Sequence, residues 1–211
     1  MSTGGLRVAR NTAYDDAVTR SLAERKRQLV RDELTESALR LLAFQGYEQT
    51  TVDQIVAAAG VSRRTFFRYF RSKEDVIIEF LSHIGDKLRG ALAARPAAEP
   101  PMEALRRALD VFTDTYAEEE EKALRLATVT LTTPALLARY LERQAQWRAE
   151  AARVLAERAG TDPDDLTPAL VAAVGFATFD VALIAWVRAN GAARLPDLIA
   201  DAFDRLPATL S

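Results

Sequence analysis

Residues 62–70 read SRRTFFRYF. Three guanidinium groups, on Arg63, Arg64 and Arg68, are interleaved there with Phe66, Phe67, Tyr69 and Phe70. Arginine presents its N–H donors as a planar fork, which matches guanine O6 and N7 or two oxygens of a phosphate. The hydroxyls of Thr51, Ser62, Thr65 and Tyr69 suit phosphate oxygens, and Lys73 adds a compact positive charge close by. A helix buried on all sides would not carry these arginines. A helix solvated on all sides would not carry four aromatics. At helical spacing Phe66 and Phe70 share one face, where Val61 can join them. Arg63, Arg64, Phe67 and Arg68 are left toward the outside. The plain alternative is a small amphipathic helix whose arginines are merely solvated.

Other reactive constellations are missing from the chain. His83 is the one histidine, and there is no cysteine. That excludes disulfides, thiolate zinc sites and cysteine nucleophiles. No Gly-rich phosphate loop and no H-E-x-x-H pair is present. The expectation is a protein that is not an enzyme and holds neither cofactor nor metal. A buried Asp180 would be unusual, because an unpaired carboxylate in an apolar helix is costly. Its possible partners are Arg143 or Arg148, a cation, a ligand, or simply water.

The apolar spacing is helical throughout, and no stretch keeps a two-residue alternation. The fold class expected is all-α. Residues 1–20 lack periodicity and read as a flexible arm. A helix follows from about Leu29 to Gln45, ended by Gly46. Thr50 or Thr51 caps a second helix with Val52, Ile55, Val56 and Ala59 on one face. Gly60 stops it. Ser62 caps the arginine-aromatic helix, and Ser72 caps a long fourth helix that runs to the proline-rich stretch 96–101. Further helices are expected at roughly 102–117, 121–131, 134–159, 167–190 and 196–206. Two short helices joined by a glycine turn of about four residues make a helix-turn-helix, whose second helix enters the major groove.

Charge distribution agrees with that reading. The chain of 211 residues carries a net −2, yet residues 1–75 hold 13 basic against 10 acidic residues and the remainder 15 against 20. A front at +3 and a rear at −5 point the polyanion toward the front. No apolar run is judged to reach the roughly 18 residues that span a membrane. The N-terminus lacks an apolar signal core, so a cytoplasmic protein is expected.

The run TTVDQIVAAAGVSRRTFFRYFRSKEDVI resembles the DNA-binding domain of TetR-type (tetracycline-repressor-like) regulators. The shared order is a Thr-Thr cap, an apolar helix, Ala-Gly-Val-Ser, an aromatic-rich helix, then Ser-Lys-Glu. The likeness begins near Leu29 and extends to about Ile78. Two positions depart from it. Arg64 stands where many relatives carry a small residue, and Phe67 where many carry a tyrosine. The resemblance implies an N-terminal three-helix DNA-binding domain at 21–75 and a C-terminal ligand-binding and dimerisation domain at 76–211. It carries over Thr51, Ser62, Arg63, Arg64, Thr65, Phe67, Arg68, Tyr69 and Lys73 as DNA-facing, with Arg63 and Arg68 on base edges. Arg25, Lys26 and Arg27 are candidates for the DNA backbone or for a solvated run.

The same resemblance implies a homodimer on a near-palindromic double-stranded operator, released by a small hydrophobic or amphipathic effector, most simply as a repressor. The last two helices would pair the subunits, through Ala169, Ala173, Ala177, Leu198 and Phe203, with Gly175 allowing close approach. The aromatics expected around the effector are Phe112, Tyr116, Trp147, Phe176 and Phe179, with Trp186 and Asp180 beside them. Arg125, Arg139 and Arg143 are alternatives for an acidic ligand. The competing function is a helical interaction protein of the same fold that does not bind DNA.

Overall fold

The computed structural model describes the backbone of residues 5–114, 119–162 and 165–209, and the side chains of residues 22–114, 119–162 and 165–206. Among these residues there is no strand. The order is α1 (Gly5–Gln45), α2 (Val52–Ala58), α3 (Arg63–Tyr69), α4 (Lys73–Ala93), α5 (Pro101–Ala108), α6 (Val111–Asp114), α7 (Glu120–Thr132), α8 (Pro134–Ala159), α9 (Leu166–Arg188) and α10 (Leu195–Thr209).

Two apolar clusters organise these helices. The smaller joins Leu34 and Ala38 of α1, Ile55 and Val56 of α2, Phe66 of α3, Phe70 and Val76. The larger takes the inward faces of α4, α5 and α7–α10. Helices α1 and α4 belong to both. Leu39, Leu42 and Ala43 lie further along α1 than Leu34 and join the larger cluster, as do Ile77 and Leu81 after Val76. The three-helix front is thus tied to the rear through two helices, one on each side of the junction.

Local chemistry accounts for the boundaries. Thr51 caps α2 in a capping box: its hydroxyl accepts from the Gln54 amide, while the Gln54 side chain accepts from the Thr51 amide. Gly60 takes φ +63°, a backbone that side chains rarely adopt, and turns the chain toward α3. Ser62 caps α3 by accepting from the Thr65 amide at 3.1 Å. Ser72 stands at the start of α4 but makes no such cap. Asp75 in the first turn instead accepts from the Arg71 amide just ahead of the helix, at 2.8 Å.

Several expectations are corrected. The arm expected over residues 1–20 is helical from Gly5 onward, so α1 begins far before Leu29. The helix expected over 102–117 ends at Ala108 and restarts as the short α6. The break sets the Phe112 ring 5.1 Å from that of Trp147 and 4.6 Å from that of Phe179. Helix α9 has 23 residues and is long and apolar enough to cross a membrane by length and composition, contrary to the sequence reading. Here one face of α9 packs on α8, α10 and α5. Glycines permit two close helix approaches. A Cβ on Gly175 would stand 2.4 Å from Leu105 of α5, and one on Gly85 of α4 would stand 2.2 Å from the indole nitrogen of Trp147.

Candidate nucleic-acid interface and effector cavity

Helices α2 and α3 enclose a four-residue turn, Ala59–Ser62, and α3 is held by its two phenylalanines. Phe66 is fully buried and Phe70 nearly so, their rings 5.5 Å apart. Burying one such ring stabilises by about 1.5–3 kcal/mol, enough to fix which face of a seven-residue helix turns inward. The opposite face carries Arg63, Arg64, Phe67 and Arg68, all exposed. The division of faces expected from spacing is the one observed.

Each of these side chains has its own setting. Arg63 donates from Nη1 to both carboxylate oxygens of Asp53 at 2.9 Å, and its guanidinium carbon lies 5.8 Å from the Phe67 ring centre. Arg64 has no hydrogen bond or ion pair among the described residues. Arg68 lies 5.0 Å over the half-buried Tyr69 ring and donates to its hydroxyl at 3.3 Å. Phe67 is 50% exposed and meets Phe66 edge to face at 5.4 Å. The hydroxyls of Ser62 and Thr65 share a hydrogen bond at 3.0 Å, and Thr65 is half-buried. Thr51 is exposed, with its hydroxyl engaged in the capping box. On α1, Arg25, Lys26 and Arg27 are exposed.

Lys73 departs from the expected outward role. Its ammonium donates to the Tyr47 carbonyl at 2.6 Å and the Thr50 carbonyl at 2.9 Å, and rests 3.9 Å over the Tyr47 ring. It pins the loop between α1 and α2 to the start of α4. Next to it, the Tyr47 hydroxyl donates to Glu74. Burial, with the Glu74 carboxylate behind it, pushes the Tyr47 phenol up to about 12. Burial also pushes the Glu74 carboxyl up, but hydrogen bonds from Ser72 and Tyr47 outweigh this and hold it below its ordinary value. Neither Asp53 nor Tyr47 was singled out from the sequence. Their partners lie 10 and 27 positions away, beyond any local spacing rule.

Behind the front, α4, α7, α8, α9 and the start of α10 surround an apolar cavity of about 90 Å³. Phe112, Tyr140, Phe179 and Trp186 line it together with Ile84 and Leu126. Of the expected ligand aromatics, Phe112 and Phe179 reach it, and so does Trp186. Trp147 and Phe176 do not. Trp147 is buried among Phe112, Tyr140 and Phe176 and packs on the bare backbone of Gly85. Tyr116 lies outside the described residues. A second cavity of about 120 Å³ adjoins the first at Phe112, Ala123, Trp186 and Leu195, and adds the polar groups Asp114, Glu120 and Arg194.

Asp180 is not in the cavity. Its carboxylate accepts from the Tyr140 hydroxyl at 3.0 Å and from the Gln144 amide at 2.5 Å, which locks α9 to α8. Burial pushes its carboxyl above the ordinary value, against the two hydrogen bonds and the charge of Arg148. Arg125 pairs with Glu121 and covers the Phe44 ring, and Arg139 pairs with Glu142; neither lines the cavity.

On α9 the face away from the core carries Leu166, Ala169, Leu170, Ala173, Ala177, Val181 and Ile184, all exposed. Leu166 is 75% exposed, Leu170 61% and Val181 65%. On α10, Leu198 is half-buried and Phe203 buried, both within the chain's own core.

Comparison with known proteins places this geometry. Residues 34–80 match the family model described as "Bacterial regulatory proteins, tetR family", and residues 99–211 match the one described as "MftR C-terminal domain". The HTH-type transcriptional regulator TcmR of Streptomyces glaucescens is 42% identical over 160 residues, covering 72% of this chain and 71% of that one. A Mycobacterium tuberculosis protein named as a mycofactocin biosynthesis transcriptional regulator, MftR, is 32% identical over 190 residues, covering 88% and 93%. Among solved structures, the fatty acid degradation regulator FadR of Bacillus halodurans superposes with a TM-score of 0.62 at 24% identity, over 84% of this chain and 94% of that one. FadR of Bacillus subtilis, solved with stearoyl-CoA, gives 0.63 at 20% identity, over 82% and 96%. These two establish the fold alone. With a DNA-binding front matched by one model and more than half of its length by the other, the chain belongs to the TetR family of bacterial helix-turn-helix transcriptional regulators.

Proposed function

We propose that this regulator is a homodimeric repressor that leaves a near-palindromic operator when a small, mainly apolar effector fills the rear cavity. One observation carries the reading. The arginine face of α3 and the apolar cavity are joined by one helix, because α4 starts beside α3 and lines the cavity with Ile77, Leu81 and Ile84. A ligand that favours one packing of α4 therefore biases the placement of α3.

The cavity chemistry supports an effector with little charge. Its walls are aliphatic and aromatic, and the adjoining polar mouth sets Asp114 and Glu120 against a single arginine, Arg194. A densely anionic ligand would meet two acids there. The exposed apolar stripe on α9 supports the dimer, since stripes of this kind in folded proteins mark contact surfaces. The acidic rear and basic front support a DNA contact confined to α3 and its surroundings.

The test is selection of bound fragments from genomic DNA, followed by binding at stepped salt. The expected outcome is a two-half-site motif with centres about 34 Å apart, one helical turn, and affinity that falls steeply with salt. Bound fragments without a shared motif would overturn the reading and leave the fold serving protein–protein contacts instead.

A further inference from the structure

We propose that Asp53 is a specificity-determining residue of the DNA interface: with the Phe67 ring it holds the Arg63 guanidinium in one orientation, set to read a guanine in each half-site. The proposal rests on the reading that α3 enters the major groove.

The geometry is that of a clamp. Nη1 of Arg63 lies 2.9 Å from both Oδ1 and Oδ2 of Asp53. That contact takes up Nη1 and leaves the other edge of the fork, Nε with Nη2, free. Such an edge matches guanine O6 and N7. The Phe67 ring lies 5.8 Å from the guanidinium carbon. Both supports are themselves anchored. Asp53 sits in the first turn of α2, fixed by the Thr51–Gln54 capping box. Phe67 leans edge to face on the fully buried Phe66.

Stability does not explain the pair, because both side chains are largely exposed and such pairs add little to folding. A role in attraction to DNA does not explain it either. A carboxylate beside the arginine cancels its charge and opposes phosphate. What remains is orientation. The neighbouring Arg64 shows the contrast: it has no partner among the described residues and keeps its full charge for the backbone. Phe67 also gains a purpose. It lacks the hydroxyl that would reach a phosphate, and serves instead as the floor under Arg63.

The experiment is parallel selection from a library of random duplexes with the full-length wild type and with Asp53→Asn, Asp53→Glu, Phe67→Leu and Arg63→Ala. Wild type is expected to select one guanine per half-site by about 10- to 100-fold over other bases. Asp53→Asn should lose most of that preference while its affinity for random duplex stays level or rises. Asp53→Glu should recover part of the preference, and Phe67→Leu should fall between. If Arg63→Ala relaxes the guanine and Asp53→Asn does not, the assignment of Asp53 is overturned and the groove reading stands. If Arg63→Ala leaves every position unchanged, the groove reading fails at this residue. An equal gain of affinity for selected and random duplexes by Asp53→Asn, with preference intact, makes Asp53 a mere repulsive charge and also overturns the proposal.

Discussion

At the scale of single residues, Asp180 shows how a polar group in an apolar helix is made tolerable. Both of its hydrogen bonds, from Tyr140 and from Gln144, end on the same oxygen. Its partial burial pushes the carboxyl up, so the folded state takes a proton at a pH where the unfolded state does not. Stability from this group is therefore present at low pH and declines as pH rises from the unfolded value through the folded one. An asparagine can offer one oxygen to the same two donors without a charge to desolvate. Asp180→Asn is expected to match or exceed wild-type stability at pH 7. Wild type should gain on it as the pH is lowered through the carboxyl's folded value. Urea midpoints of both proteins followed downward from pH 7 check this, and a variant that is less stable at pH 7 would contradict it. The oddity of Asp180 was visible in the sequence. Its partners were not, because Tyr140 and Gln144 are ordinary residues of an amphipathic helix until α8 and α9 are laid together.

At the scale of elements, close approach and charge decide how the front and rear are joined. Gly85 lets α4 come down on the Trp147 ring, where a Cβ would stand 2.2 Å from the indole nitrogen. The ring is buried and cannot swing aside, so Gly85→Ala should cost about 1–3 kcal/mol by overpacking, read as a lower urea midpoint. No loss would mean that α4 and α8 slide freely. Lys122 of α7 makes the link to α1. Its ammonium is buried and donates to Glu36 at 2.5 Å and Glu119 at 2.9 Å. Burial pulls the ammonium down, but the two acids outweigh it and hold it above the ordinary lysine value. Removing the two partners is not the mirror image of removing the lysine. Lys122→Met leaves two exposed carboxylates and should cost no more than about 1 kcal/mol, whereas Glu36→Gln with Glu119→Gln strands a buried ammonium and should cost about 3 kcal/mol. Equal losses in chemical denaturation would contradict this account. Local rules reached most of the front, since the Thr51 and Ser62 caps, the Gly60 turn and the Phe66–Phe70 face are all properties of neighbours in sequence. They reached the rear poorly. The split of 102–117 into α5 and α6, and the choice of Trp186 over Trp147 as cavity wall, depend on which helix lies opposite.

At the scale of the whole molecule, the proposed homodimer turns on the apolar stripe of α9. The chain is apolar nearly all round this helix, so the sequence could not tell a core face from an outer one; small residues at 169, 173 and 177 were its only hint. In the fold those alanines do face outward, together with the larger Leu170, Val181 and Ile184. Phe203 is committed to the chain's own core, and the outer face of α10 carries Asp197, Asp201 and Asp204. Asp201 and Asp204 are paired with Arg205 and Arg106, which makes the outer face of α10 a charged one, whereas the α9 stripe can meet its own copy with apolar groups on both sides. In the proposed homodimer the expected contact is therefore the α9 stripe. Leu170→Glu combined with Val181→Glu puts a charge at two points of that stripe without touching the buried face. The variant should keep its helical circular dichroism and sediment as a monomer. Its operator affinity should fall by about 10²-fold or more, because each half-site is then bound alone. A variant that still sediments as a dimer would move the interface off α9. One that becomes monomeric yet keeps its operator affinity would show that a single recognition helix suffices, and would remove the palindrome from the mechanism.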